Sequence, residues 1–277
     1  MREKMTLDTS RIAVVSDLHW LSNEGLTNPY ICEIFSDFIR KVPKGAVGVF
    51  NGDVFAGVDA RWIESLQLGN LEDQFAEGKE LIDHFYDACG AIISSAGTSS
   101  HAKAGLGFDF ERILCRLFGS QVHREQLFFR DRKSGVRILF QHGRSGALVY
   151  KESILRRELR FAHEHAAWGE IPQIDVLVRS HLHSYVAVES THDKACITPC
   201  FQLPTRYIEA GSLGWKPELG GLLIELRSGK TICDKVRFLP VTYPLPERFR
   251  QYVTLRPKYH ESPIRKMERT RNEKETS

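Results

Sequence analysis

The stretch RIAVVSDLH, residues 11–19, sets the reading of the whole chain. Ile12, Ala13, Val14 and Val15 form a short apolar run rich in β-branched residues, the composition of a strand covered on both faces. It ends on Asp17-Leu18-His19, so two side chains able to bind a cation leave the strand together. Residues at i and i+2 point to one side of extended chain, and Asp17 and His19 can converge on one ion.

Working outward, the same arrangement recurs. AVGVFN (46–51) reads as a second strand and is followed by Gly52-Asp53. AIISSAG (91–97) is a third, with His101 a few residues beyond. VRILFQ (136–141) runs into His142-Gly143, and IDVLVRS (174–180) into His181-Leu182-His183. Five successive strands each deliver a candidate ligand near their C-terminal ends, the edge at which open α/β sheets bind ligands.

Between the strands the apolar period changes. Asn28-Pro29 reads as an N-cap followed by proline at the first helical position. Ile31, Ile34, Phe35, Phe38, Ile39 and Val42 then recur at helical spacing. Residues 60–89 are mostly helical, with a break near Gly69-Asn70. A short helix is expected over 108–118, and a longer one over 147–168 with Ile154, Leu155, Leu159 and Ala162 on or near one face. LFFR and VRILFQHG flank the turn DRKSG as a strand pair. The later sequence turns to strands alone: YVAVES (185–190), RYIEAGS (206–212), then GGLLIEL (220–226) and TICDKVRFL (231–239) about the turn RSGK. Helix–strand alternation giving way to strands predicts an α/β layered fold, a sandwich of two mixed β-sheets flanked by helices. Periodicity does not fix the strand order. One domain is expected over 1–255, with 256–277 a polar, disordered tail.

Composition narrows the function. The 277 residues are 42% hydrophobic, enough for a sizeable core, and the net charge of +3 carries no strong polyanion signal. None of the six cysteines sits in a C-x-x-C pair, which argues against a zinc ribbon or a thioredoxin-type site. Cys196 and Cys200 read as small apolar residues, and the set as free thiols. No apolar run reaches the roughly 18 residues of a membrane span, and MREKMTLDTS lacks the apolar segment of a signal peptide. The expectation is a cytoplasmic protein outside the membrane.

Carboxylate and neutral imidazole are the ligands of Mn, Fe, Zn and similar ions. One carboxylate such as Asp53 can bridge two ions about 3.5–4 Å apart, which together lower the pKa of a shared water and clamp phosphate oxygens. Glycines beside Asp53 and His142 permit tight turns and close approach of a substrate.

In order and spacing, these blocks resemble the calcineurin-like metallophosphoesterase superfamily, whose pattern is D-x-H, G-D, G-N-H, a lone His, then G-H-x-H. SDLHW, NGDVF, FQHG and RSHLHS carry the resemblance across residues 11–184. It implies a metallophosphoesterase-like two-sheet sandwich and two divalent ions, Mn first, with Fe or Zn as alternatives. Asp17, His19, Asp53 and His183 would surround one ion; Asp53 would bridge; His142 and His181 would hold the second. The implied reaction is hydrolysis of a phosphodiester or phosphomonoester by metal-activated hydroxide. Two departures stand out. Ser180 replaces a glycine in the last block. Gly97-Thr98-Ser99-Ser100-His101 replaces G-N-H, so the asparagine is missing and the histidine displaced. A lengthened loop would bring His101 in as a catalytic group, stabilising phosphoryl oxygens or protonating the leaving group. Thr98, Ser99 or water would fill the vacated metal position.

Other groups read as structural or ambiguous. His163 and His165, at i and i+2 on a helix, share no face. Arg144, directly after His142-Gly143, is a candidate substrate-binding residue for a phosphate. Arg156, Arg157 and Arg160 form either a solvated helix face or a nucleic-acid track, and aromatics are not interleaved with them. The substrate expected is a phosphate ester, leaning to a nucleotide or nucleic acid. Alternatives are a phosphoprotein phosphatase, or a catalytically silent binding protein of the same fold.

Overall fold

The computed structural model describes residues 5–7, 9–56, 71–98, 112, 123–143, 150–205 and 216–250. Its strands are β1 (Met5–Leu7), β2 (Arg11–Val15), β3 (Ala46–Asn51), β4 (Cys89–Ser95), β5 (His123–Arg124), β6 (Gln126–Asp131), β7 (Arg137–Gln141), β8 (Val176–Arg179), β9 (Val186–Glu189), β10 (Lys194–Ile197), β11 (Leu219–Leu226) and β12 (Val236–Tyr243). The main helices are α1 (Pro29–Lys41), α2 (Leu71–Ala88) and α3 (Lys151–Ala167).

Two six-stranded sheets form. One has the order β12-β11-β2-β3-β4-β5, the other β1-β6-β7-β8-β10-β9. Both are mixed. β2 to β5 run parallel while β11 joins β2 antiparallel. In the second sheet β7, β8 and β10 are parallel and β6 and β9 pair antiparallel at either side. Between the sheets lies a core of Val14, Val49, Ile93, Phe129, Phe140, Val176, Val178 and Ile224. A second apolar cluster packs α1 and α2 on the first sheet, and a third packs α3 on the second. The layered sandwich of two mixed sheets flanked by helices is therefore the observed fold.

The local reasons lie in the sequence. β3 and β8 are buried at every residue, as continuous apolar strands inside an α/β sandwich should be. The Asn28 side chain caps α1 by accepting from the Tyr30 N–H, with Pro29 in the first turn. α1 buries Ile31, Ile34, Phe35 and Phe38. Phe38 packs over Gly221 of β11, where an added Cβ would come within 2.6 Å of the ring.

Three expectations are corrected. TICDK does not open a strand: Thr231 and Asp234 form a capping box on the short helix α4 (Ile232–Lys235), and β12 begins at Val236. KACI, absent from the strands expected from the sequence, is β10, fully buried and between β8 and β9. Its Lys194 reaches out to the Val236 carbonyl at 2.9 Å and to Glu189 at 2.9 Å. The long helix starts at Lys151, with Tyr150 as its N-cap. Of the expected helix over 108–118 only Arg112 is among the described residues; the break near Gly69-Asn70, the strand RYIEAGS, the tail and Cys115 lie outside them. The other five cysteines are free thiols, with Cys196 and Cys200 buried and Cys233 exposed. Among the described residues no helix is long and apolar enough to cross a membrane.

Candidate metal centre

The strand ends do converge. Asp17 follows β2, Asp53 follows β3, His142 follows β7, and His181 and His183 follow β8. Ligand atoms of Asp17, Asp53, His142 and His181 lie within 4.8 Å of one another, and those of Asp17, His19 and His183 form a second such group. All six sequence-predicted ligands thus meet in one cluster. Asp17 is common to both groups; Asp53, expected to bridge, sits with His142 and His181.

The backbone at these positions is held in a rare conformation. The non-glycine residues with positive φ, among those described, are Asp17 (51°), His19 (41°), Leu21 (74°), Asp53 (49°), His181 (82°) and His183 (50°). Five of the six are candidate ligands. Left-handed backbone at residues with a Cβ costs about 1–3 kcal/mol each and persists where the surroundings impose it, chiefly at functional sites. Here the strand-to-loop turns are locked by ladder-like bonds: Asp17 N to Gly52 O at 3.1 Å, His19 N to Asp53 O at 3.1 Å and Trp20 N to Val54 O at 2.8 Å. Each turn aims its side chain up from the sheet edge.

Two glycines let the turns close. At Gly52 (φ +81°) a Cβ would stand 2.6 Å from the His142 ring, and at Gly143 (φ +80°) 2.5 Å from Arg179 Nε. The sequence expectation of tight turns beside Asp53 and His142 holds, and the close approach is to the cluster's own side chains.

The cluster is dry and acidic. Asp17 is 0% exposed and Asp53 1%, with His142 at 2% and His19 at 4%. Two buried carboxylates this close demand positive charge. His183 Nε2 lies 3.0 Å from Asp17 Oδ1, and His142 Nε2 lies 2.8 Å from Asp53 Oδ2 and 3.6 Å from Asp17 Oδ1. Burial opposes the imidazolium of His142, but Asp53 and Asp17 outweigh it and push its pKa up to about 10. Burial, followed by repulsion from His142, takes His181 down to about 4. Burial would raise Asp17, yet His183 and His142 hold it well below the usual carboxylate range. A protein that gathers two carboxylates and four imidazoles so closely, without a lysine or arginine among them, has the donor set of a divalent transition-metal centre.

Orientation supports the same fit. His142 Nδ1 is 2.8 Å from the Asn51 carbonyl, so the nitrogen facing that acceptor carries the hydrogen. Nε2, 2.8 Å from Asp53 Oδ2, is then the nitrogen left to face a metal when the ring is neutral. Fixing the tautomer through the outer nitrogen is how proteins prepare a histidine ligand.

Thr98, named for the vacated position, lies at the cluster, and further contributors were not foreseen. The Thr98 N–H donates to Asp53 Oδ1 at 2.7 Å, and its hydroxyl lies 3.0 and 3.2 Å from the two carboxylate oxygens. Ser99, named beside Thr98 and water for the vacated metal position, lies outside the described residues. Beneath runs a row of buried polar groups. Ser95 Oγ donates to Asn51 Oδ1 at 2.6 Å, Asn51 Nδ2 donates to Ser180 Oγ at 2.6 Å, Ser180 Oγ lies 2.8 Å from Thr198 Oγ1, and Thr198 lies 2.9 Å from Ser16 Oγ. Ser180, the departure from glycine, is thus the link between the two sheets. Arg179 is fully buried, with Nε 3.0 Å from Glu158 of α3. An arginine closing an otherwise apolar strand, two residues before His181, was the one sequence signal available for this pair.

Two expected site residues, His101 and Arg144, lie outside the described residues. His163 and His165 pair on the surface with Asp193 at 3.2 Å and Glu170 at 2.5 Å, away from the cluster.

No protein-family model matches the sequence, and no curated protein matches it. Solved structures of similar fold do exist. Vps29 complexed with zinc from Entamoeba histolytica aligns at 12% identity and TM-score 0.43, covering 84% of this chain and 99% of that one. A predicted phosphoesterase from Streptococcus pneumoniae aligns at 16% identity and TM-score 0.39, covering 85% and 93%. An archaeal phosphodiesterase aligns at 13% identity and TM-score 0.43, covering 83% and 99%. Likeness this distant selects no activity. What fold and site define together is a sandwich of two mixed sheets flanked by helices. It carries at its strand ends an Asp/His cluster able to hold one or more metal ions.

Proposed function

We propose that the chain is a metal-dependent phosphoric ester hydrolase acting on a phosphodiester or phosphomonoester, with a nucleotide or nucleic-acid substrate preferred. The observation that carries this reading is the convergence of six Asp and His side chains in one buried cluster, five of them from left-handed backbone. Asp17, His19, Asp53, His142, His181 and His183 would hold two divalent ions, manganese first, with iron or zinc suiting the same donors. Bound ions would supply Lewis acidity to the phosphoryl oxygens and to the attacking water.

The chain's own residues do the rest. Asp53 is the proposed bridging carboxylate, and Asp17, shared by both groups, is the second carboxylate between the imidazole pairs. Asn51 fixes the His142 ring, and Thr98 orients Asp53 by donating to it. His101, three residues beyond Thr98 in the chain, is the proposed group for stabilising phosphoryl oxygens or protonating the leaving group. Arg144 is the proposed phosphate contact.

A second reading has one observation in its favour. Where the resemblance places a ligating asparagine, Thr98 turns its N–H and hydroxyl to Asp53. A catalytically silent, metal-holding binding protein would tolerate that exchange better than an enzyme would.

The test is hydrolysis of bis-p-nitrophenyl phosphate and p-nitrophenyl phosphate by metal-stripped protein titrated with manganese. Activity that appears with manganese and is lost in Asp53→Asn supports the hydrolase. Binding of manganese without hydrolysis of either ester moves the assignment to the silent protein. A phosphoprotein phosphatase would favour the monoester.

A further inference from the structure

Four large apolar side chains stand exposed among the described residues, and three of them belong to one helix: Tyr150 (69%), Phe161 (49%) and Trp168 (67%). Tyr150 and Trp168 are the two caps of α3. At 100° per residue the separations of eleven and seven residues return to nearly the same angle, so the three form one stripe. Arg157 falls on it, seven residues after Tyr150 and four before Phe161; Arg160 is about 80° from it and Arg156 about 120°, and all three are exposed. Read along the chain, aromatics are not interleaved with these arginines. On α3, Arg157 lies between Tyr150 and Phe161 along the stripe.

The N-terminal end of α3, where the stripe begins, lies against the loop that carries His183. Lys151, at its head, donates to Ser184 Oγ and to the Leu182 carbonyl, residues flanking His183. Glu158, midway, is engaged beneath the helix by Arg179. Lys151, Arg156 and Arg157 fall in the half nearest the cluster, and the positive end of the helix dipole adds to Lys151 in the first turn. Toward Trp168 the charges are paired, Arg160 with Glu164 and His165 with Glu170.

We infer that the outer face of α3 is a docking track for single-stranded nucleic acid, leading a phosphodiester onto the metal centre. Flat apolar side chains accept unpaired bases and arginines accept the backbone, the combination that single strands require. A duplex hides its bases from such a face. The track spans about 27 Å at 1.5 Å per residue. The inference rests on the phosphoesterase reading for cleavage of the bound strand, but not for binding itself.

The experiment separates the two. Fluorescence anisotropy of a labelled oligothymidylate of about 20 nucleotides, longer than common single-strand site sizes, is measured in EDTA, so no hydrolysis intervenes. Salt-dependent binding is expected, weakened about tenfold in Phe161→Ala and in Trp168→Ala. Arg157→Ala should lower the slope of log affinity against log salt by about 0.7. Manganese-dependent hydrolysis of bis-p-nitrophenyl phosphate should stay unchanged in all three variants. Absence of oligonucleotide binding, equal binding of duplex, or binding indifferent to these substitutions would overturn the track, even with diesterase activity intact. A dimer seen by light scattering and lost in Trp168→Ala would overturn it too, by giving the face to a second copy. Retained binding without hydrolysis would instead leave the track standing and defeat the hydrolase reading.

Discussion

His142 donates from Nδ1 to the carbonyl oxygen of Asn51 across 2.8 Å. That bond decides which nitrogen faces Asp53. The carbonyl stays where it is because the Asn51 side chain is itself held, accepting from Ser95 and donating to Ser180 at 2.6 Å each.

Replacing Asn51 with alanine should therefore act at a distance from the ligands. It strands the Ser95 and Ser180 hydroxyls in a buried site, a loss of about 1–3 kcal/mol. Manganese affinity should fall about 10–100-fold, the usual effect of removing a group that supports a ligand. Urea unfolding and calorimetric titration with manganese measure the two. Unchanged affinity with reduced stability would confine Asn51 to the fold.

Gly143 and Gly135 make a matched pair. Both have positive φ, +80° and +73°, but a Cβ at Gly143 meets Arg179 at 2.5 Å while one at Gly135 meets nothing within 4 Å. Gly135→Ala should cost only the left-handed conformation, about 1–2 kcal/mol. Gly143→Ala should cost more in urea unfolding, and should also weaken manganese binding by moving His142. Equal costs would mean that Arg179 yields freely.

At Gly78 two effects compete. Alanine in a helix interior is favoured over glycine by about 1 kcal/mol. Its Cβ, however, would lie 1.9 Å from Trp20 Nε1, on an indole that is fully buried and stacked on Phe55 at 4.9 Å. Overpacking of this kind costs about 1–3 kcal/mol, so Gly78→Ala should destabilise. A raised thermal midpoint would show that α2 can lift away from Trp20 without penalty.

Asp37 ties α1 to β12. Lys41 lies 2.5 Å from its carboxylate, the Tyr243 hydroxyl donates at 2.8 Å and Arg40 at 3.1 Å. Lys41 first, then Tyr243, lower its pKa from 3.8 to about 2. A lowered folded-state pKa means stability that is present above the unfolded value and lost as pH falls through the folded one. The difference in urea midpoint between the wild type and Asp37→Asn should thus be constant above about pH 5. It should shrink between pH 4 and 2. A difference independent of pH would assign the effect to packing.

The clustering of the candidate ligands was legible in the sequence because each follows an apolar strand, and strand ends in a layered α/β fold share one edge. Asp17, Asp53, His142 and the His181–His183 pair could be placed together before any contact was known. The supporting row could not. Ser16, Asn51, Ser95, Ser180 and Thr198 are residue types common at any turn, and their contacts join positions as far apart as Ser16 and Thr198, 182 residues. β10 was missed for a related reason: four residues headed by a lysine carry no period, and the strand exists because β8 and β9 offer ladders on both sides. The capping box of α4 was missed because TICDKVRFL has the apolar content of a strand, while Thr231 and Asp234 settle its first residues locally.

The buried row beneath the centre has a direction. The Asn51 amide can only accept at Oδ1 and only donate at Nδ2, so Ser95 must give to it and Ser180 must receive from it. The Ser180 hydroxyl proton is then left for Thr198, that of Thr198 for Ser16, and that of Ser16 for the Pro199 carbonyl at 3.3 Å. One amide thus sets the sense of every dipole along a wire of hydroxyls that passes twice between the sheets. Sliding one sheet past the other by a single residue would not weaken this wire by degrees. It would reverse or open several links at once, so the wire holds the strand ends, and with them the candidate ligands, in one register.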